Sequence, residues 1–271
     1  ADVEKFMKDI AAGKTAQDVK TKMRGRSIVR GGTGAATRTV GMLGAILQFA
    51  VSRDLRTDNP VRGVKRYSDS PMERFLSPRE LADLGDALVK AEGEGENKYA
   101  IAAIRLLALT GCRRNEILSL EWEWVDMEGN RLSLPDSKTG ARHVPLGAAA
   151  KELLQAIPRI EDSAYVFPGT SGDGHFVGLQ KVWSGIRKKA GLSDVRLNDL
   201  RHGFASVGTS GGDTLYLVGK LLGHRRAASS ERYAHLAADP LHAAADRISG
   251  QIAAAMDRKD SAEVVELKQK G

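Results

Sequence analysis

The chain has 271 residues, a hydrophobic fraction of 42%, aromatics at only 5% and a formal net charge of +7. This length accommodates two domains or one large one, with cores built mostly from Leu, Ile, Val and Ala. A single cysteine excludes an internal disulfide and fits a reducing cytoplasm; the first residues lack the basic-then-apolar order of a secretory signal, and the longest apolar stretch, Tyr99 to Cys112, is broken by Arg105 and too short for a bilayer.

No membrane partner is expected on that basis, and the absence of an initial Met suggests trimming of a longer protein. Residues 1–70 hold 14 Lys/Arg against 7 Asp/Glu, whereas the other 201 residues hold 27 of each. All the excess charge therefore sits in the first quarter. Such a block favours a polyanion such as DNA through phosphate neutralisation; a solubilising charged surface is the alternative reading.

In chain order, Gly31-Gly32-Thr33-Gly34 reads as a flexible loop before a helix from about Ala35 to Leu55. Val40, Leu43, Ile46, Leu47, Ala50 and Val51 recur at three- and four-residue steps and share one face, with Arg38, Gln48 and Arg53 outside it. Thr57-Asp58-Asn59-Pro60 ends that helix. The organisation expected is a block over 1–66, a polar linker over 67–76 and a second block over 77–271. Ser77-Pro78-Arg79-Glu80 opens the second block as a capping box with proline at the first helical position. Helical periodicity then runs to Arg114, with a Gly/Glu loop near 92–97.

Arg131–Leu134 and Arg142–Leu146 are short extended runs around a Gly-containing connection, a β-hairpin. Helical patterns follow at 148–157, 179–190, 199–208, 213–222 and 229–236, and a last amphipathic stretch spans about Leu241 to Met256. The fold class is mainly α with a small antiparallel β-sheet.

Several segments carry side chains suited to chemistry. In Thr110-Gly111-Cys112-Arg113-Arg114-Asn115-Glu116, a glycine turn places Arg113 at a helix start. Glu116, three residues on, can orient its guanidinium, although a surface ion pair has the same spacing. Lys138 lies at the hairpin tip, where a solvated lysine is the plain alternative to a proton donor. Asn198-Asp199-Leu200-Arg201-His202 sets Arg201 off the apolar side of a helix. Leu222-Gly223-His224 exposes His224 in the turn after a helix, and Tyr233 lies in Arg232-Tyr233-Ala234-His235-Leu236. Taken singly, each fits packing or surface roles.

In this order the segments resemble the catalytic domain of tyrosine recombinases of the phage-integrase type, from about Leu76 to Leu236. The basic block is similar to that family's helical core-binding domain, here N-terminally incomplete, followed by a mixed α+β catalytic domain. The resemblance implies that Tyr233 attacks a scissile phosphate, giving a 3′-phosphotyrosine and a free 5′-hydroxyl without ATP or a metal or other cofactor. It assigns Arg113 and Arg201 to the non-bridging oxygens, Lys138 to protonation of the leaving oxygen and His224 to a hydrogen bond on the same phosphate.

It also implies double-stranded DNA attachment sites as partners, a tetramer on DNA, and accessory DNA-bending proteins. Arg38 is a candidate DNA contact. One position departs from the pattern: the family carries histidine three residues before the second arginine, and this chain has Asn198. Asparagine can donate a hydrogen bond to phosphate but shuttles no proton, and it is equally a good helix N-cap. His202, about 100° further round the helix than Arg201, is expected not to replace it. The alternatives are a DNA-binding homologue with weakened catalysis and a type IB topoisomerase-like enzyme.

Overall fold

The computed structural model describes residues 2–23, 25–68, 74–137, 140–169, 174–226, 228–234, 249–250 and 252. The chain divides into two compact units, 1–72 and 73–271.

The first unit is two helices and a hairpin. Helix α1 (Asp2–Ala11) places Met7 and Ile10 on one buried face, and strands β1 (Gln17–Lys20) and β2 (Arg26–Val29) pair antiparallel, Gln17 opposite Val29. Helix α2 (Thr33–Ser52) completes a small cluster in which Met7, Ile10, Ala36, Val40 and Val61 are buried. Gly31 allows this approach: at φ 80° its backbone is left-handed, and a Cβ there would lie 2.5 Å from the Ile10 carbonyl oxygen. After α2, Asn59 Nδ2 donates to the Gly44 carbonyl at 2.9 Å and folds the following segment back, which seats Val61.

Neither α1 nor the hairpin is anticipated by the sequence reading, and α2 starts inside the expected glycine loop. The expected apolar face is only partly covered: Val40 is buried, whereas Ile46 is exposed, as are Met42 and Phe49, which lie outside that face. Helix α2 is also long and apolar enough to cross a bilayer by length and composition alone, which the sequence reading assigned to no segment. Core helices of soluble proteins pass the same test.

The second unit opens with α3 (Pro78–Gly93), capped as expected: Ser77 Oγ accepts from the Glu80 amide at 3.2 Å, and the Glu80 carboxylate accepts from the Ser77 amide at 2.8 Å. Helix α4 (Lys98–Thr110) begins where Asn97 Oδ1 accepts from the Tyr99 and Ala100 amides at 2.9 and 3.1 Å. It is almost wholly apolar and runs through the core, with Ile101, Ile104, Leu106 and Leu107 buried. Helix α5 (Arg114–Leu118) and a 3₁₀ turn (Trp122–Trp124) lead into a three-stranded antiparallel sheet of β3 (Val125–Asp126), β4 (Arg131–Leu134) and β5 (Arg142–Pro145). Leu132 faces Val144 across the β4–β5 pair and both are buried, so the period-2 alternation puts one face of this hairpin on the core.

Helices α6 (Ala148–Ala156), α7 (Leu179–Lys189), α8 (Leu197–Ser210), α9 (Leu215–Leu222) and α10 (Ala228–Glu231) follow. Trp183 of α7 is fully buried and donates to the Val195 carbonyl at 3.2 Å, which fixes the entry to α8.

Three boundaries differ from expectation. Helix α8 starts at Leu197 with Arg196 as its N-cap, so Asn198 is inside the helix and is not its cap. The reason is Asp199, fully buried at the third helical position, whose carboxylate accepts the Arg196 amide at 2.7 Å. Within the pattern expected over 229–236, the described residues form one turn, α10, with Tyr233 just beyond it. The ends of the expected linker belong to the units they adjoin: Tyr67 packs on the first cluster and Leu76 is buried in the second core. Lys138 and most of 241–256 lie outside the described residues.

Candidate active site

The site is assembled on two helix C-termini. Helices α4 and α9 both end at a left-handed glycine, Gly111 with φ 61° and Gly223 with φ 70°. A left-handed end pairs some of the last carbonyls with the amides that follow and leaves others facing outward with partial negative charge. Arg201, projecting from α8, uses both ends: Nη1 donates to the Gly111 carbonyl and Nη2 to the Leu222 carbonyl, each at 2.7 Å. Its guanidinium is thereby pinned at two points, with further N–H groups left for a ligand. Burial, and then the neighbouring Arg113 and Arg142, pull its pKa down to about 10, so it stays cationic at neutral pH. A Cβ on Gly111 would lie 2.7 Å from the Phe204 ring and 2.8 Å from Leu222, so the close approach needs glycine.

The same two turns present the other groups. Arg113 is the N-cap of α5, two residues after Gly111. Glu116 accepts its amide at 2.9 Å and its Nη1 at 2.7 Å, the pairing implied by their three-residue spacing. Glu116 Oε2, which accepts the Arg113 amide, also takes Arg142 Nη2 at 2.9 Å, while Arg142 Nη1 donates to the Leu221 carbonyl at 3.1 Å. Burial alone would push the Glu116 pKa up; the Arg113 amide and the two guanidinium groups outweigh it and hold the carboxyl below its usual range.

His224 follows Gly223 directly and its Nδ1 lies 2.9 Å from Ser230 Oγ. Burial first, and then Arg201, Arg113, Arg232 and Arg142, push its pKa down to about 4. So many cations around one neutral imidazole favour an anion at this position.

Tyr233 sits among Ala205, Val218, Leu222 and Phe75 with its ring 1% exposed. The Phe75 ring meets it edge-on at 6.2 Å between centroids. Its hydroxyl oxygen lies 2.8 Å from His202 Nδ1, and His202 Nε2 lies 3.1 Å from Asn198 Nδ2. Asn198 itself opens onto a cleft shared with Arg113, Glu116, Asp136 and Ser137. Arg38 is exposed on α2, in the other unit. Among the described residues, no three His, Cys, Asp or Glu side chains gather as a metal site.

Of the residues singled out from sequence, Arg113, Glu116, Arg201 and His224 come together, with Tyr233 close enough to act on Arg201 electrostatically. Two partners were missed. Arg142 shares the inward face of β5 with Val144, a period-2 signal that was available. His202 was set aside for its position relative to Arg201, yet it is four residues after Asn198 and so on the same helix face.

A family model described as the phage integrase family matches residues 74–239, more than half of the chain. The chain belongs to this family of tyrosine recombinases. It is therefore a DNA strand-transferring enzyme of the site-specific recombinase type. Among the recombinases it resembles are tyrosine recombinase XerD of Brucella melitensis, 28% identical over 225 residues covering 76% of this chain and 72% of that one. Another is prophage integrase IntF of Escherichia coli K12, 27% identical over 191 residues, 69% of this chain and 40% of that protein. Among solved structures, the Tn1549 transposon integrase with circular intermediate DNA aligns with a TM-score of 0.67 at 16% identity, covering 91% of this chain and 85% of that one. A lambda integrase dimer on a core site aligns at 0.60 and 18%, covering 87% and 78%. The recombinase fold is thus shared at low identity, mostly α with a small antiparallel sheet.

Proposed function

We propose that this recombinase integrates or excises a mobile element by cleaving and rejoining double-stranded DNA through a 3′-phosphotyrosine at Tyr233. The observation that carries the reading is the pinning of Arg201 between the ends of α4 and α9, where Arg113 and His224 also emerge. Arg113 and Arg201 hold the non-bridging oxygens of the scissile phosphate and stabilise the pentacovalent state with permanent charge. His224, neutral before DNA arrives, donates a hydrogen bond to the same phosphate. Lys138, in the connection after Ser137, protonates the leaving 5′-oxygen.

The energy of the broken phosphodiester is kept in the tyrosyl ester, so rejoining consumes no ATP. The substrates are attachment sites at the element's ends, the assembly is a tetramer of this chain on two duplexes, and accessory bending proteins shape the DNA. The relatives' DNA complexes support the duplex substrate, and the excess of basic residues over 1–70 supports a clamp on the phosphate backbone, with Arg38 a contact there. Residues 1–66 act as the core-binding domain and 77–271 as the catalytic domain.

A nicked duplex carrying the element's end sequence tests this. Cleavage next to the nick releases a short strand that cannot be rejoined and traps the enzyme on DNA. Wild type accumulates the adduct and Tyr233→Phe does not. Binding of the site without any adduct in wild type contradicts the reading and favours a DNA-binding homologue that has lost catalysis.

A further inference from the structure

We propose that His202, its tautomer set by Asn198, is a further catalytic residue that donates a hydrogen bond to the Tyr233 oxygen; the inference rests on the assignment of Tyr233 as nucleophile. Three atoms carry the argument. Asn198 Nδ2 lies 3.1 Å from His202 Nε2, and His202 Nδ1 lies 2.8 Å from the Tyr233 hydroxyl. The NH₂ end of the Asn198 amide faces His202 and can only donate, so we assign Nε2 as the acceptor, without a proton. A neutral imidazole then has its hydrogen on Nδ1 and donates it to the Tyr233 oxygen.

His202 is held neutral: burial pushes its pKa below the usual histidine range. The charged groups acting on it are Asp199, which pulls upward, and Arg232, Arg196 and Arg201, which push downward. Both rings are almost fully buried, and the low dielectric around them strengthens the hydrogen bond.

The chemistry uses this donor twice. In cleavage the phenol proton passes to water, and the Oη–phosphorus bond forms as the bond from phosphorus to the 5′-oxygen breaks. The 5′-oxygen takes its proton from the general acid, which water reprotonates. His202 keeps its own proton throughout and stabilises the negative oxygen before attack. In rejoining, the 5′-hydroxyl loses its proton to water as it attacks phosphorus, and Tyr233 departs as phenolate, with the same Nδ1–H in place to receive its charge until water reprotonates the phenol. Asn198 is a positioning residue: it acts on Tyr233 through His202. The departure at Asn198 from the family's histidine then has a local meaning, since a group that donates and cannot accept at that nitrogen fixes which way the imidazole faces the nucleophile.

Two measurements test this. The first needs no DNA: the phenolate absorbance of Tyr233 is followed against pH as the difference between the chain and its Tyr233→Phe variant, with and without His202→Leu. Ionisation moves to higher pH when His202 is replaced, and His202→Asn, whose amide can donate from near the Nδ1 position, restores it. The second is the pH profile of adduct formation on the nicked duplex, where His202→Leu lowers the rate about tenfold or more and shifts its rise to higher pH, and His202→Asn recovers most of the loss. Should His202→Leu fail to fold, Asn198→Leu at an exposed position frees the tautomer and gives a shift of the same direction and smaller size. Unchanged ionisation and unchanged cleavage in these variants overturn the role of His202 while leaving Tyr233 as nucleophile intact. An adduct that persists in Tyr233→Phe overturns the nucleophile assignment itself.

Discussion

Arg201 is the side chain on which most of the site depends. Its guanidinium spans two helix ends, a geometry that a lysine ammonium cannot reproduce while also holding a phosphate. Arg201→Lys and Arg201→Ala are therefore both expected to slow adduct formation by about 10²–10³-fold, and near-wild-type cleavage with lysine would contradict the two-point pinning. His224 supplies a prediction for pH. Its pKa is about 4 in the folded chain against an ordinary 6.5, so below 6.5 the unfolded chain takes up a proton that the folded chain refuses. The stability it contributes is complete above 6.5 and is lost progressively as pH falls towards 4. Urea unfolding at a series of pH values should show this loss without DNA, and His224→Asn should flatten it. A wild-type profile no steeper than that of the variant would count against the burial of His224 as a neutral ring.

At this scale the motif residues were legible because each sits at a fixed place in a short local pattern, an arginine after a glycine turn or a histidine after a helix-ending glycine. His202 and Arg142 were not, since their partners lie on other elements: Tyr233 is 31 residues away from His202 and Glu116 is 26 away from Arg142.

Elements explain why the site forms where it does. Gly111 and Gly223 are where α4 and α9 stop, and each turn both frees a carbonyl for Arg201 and delivers the next functional side chain. Gly111→Ala is expected to cost about 2–4 kcal/mol, combining the left-handed backbone with the clash against Phe204 and Leu222, and to reduce cleavage beyond what the lost stability accounts for. Ser77→Ala is the control: losing the α3 cap costs about 1 kcal/mol and leaves cleavage of the folded fraction unchanged. Equal effects of the two on cleavage would show that the α4 terminus has no special part.

The elements whose ends are written in side-chain chemistry were readable from sequence, α3 from its capping box and the β4–β5 hairpin from two extended runs around a Gly-containing connection. Helix α8 was misplaced by two residues because an arginine serves as its N-cap, which no propensity suggests, while a buried aspartate satisfies the end. Helix α1 and the β1–β2 hairpin were not foreseen: the strands are exposed along their whole length and carry no hydrophobic alternation.

Over the whole molecule, charge and chemistry are divided. The first unit holds the excess of basic residues and, among its described residues, a core of five buried side chains, while the second holds every described residue of the proposed catalytic cluster. Binding to the attachment site is expected to weaken steeply with salt, by a log–log slope of about −0.9 for each phosphate neutralised. A fragment from residue 74 onward should bind with a shallower slope, and an equal slope would contradict a phosphate-contacting role for the first unit.

The family resemblance was visible from the order of five short motifs, and neither composition nor periodicity would have supplied it. The neighbours of Tyr233 needed the fold. The claim on which all of this rests is that the cleaved DNA ends on Tyr233, and mapping the covalent linkage tests it most directly. Adduct from the nicked duplex, digested with protease and nuclease and read by mass spectrometry, should carry a nucleotide 3′-phosphate on the peptide containing Tyr233. A linkage to any other residue, or through a 5′-phosphate, would contradict the account.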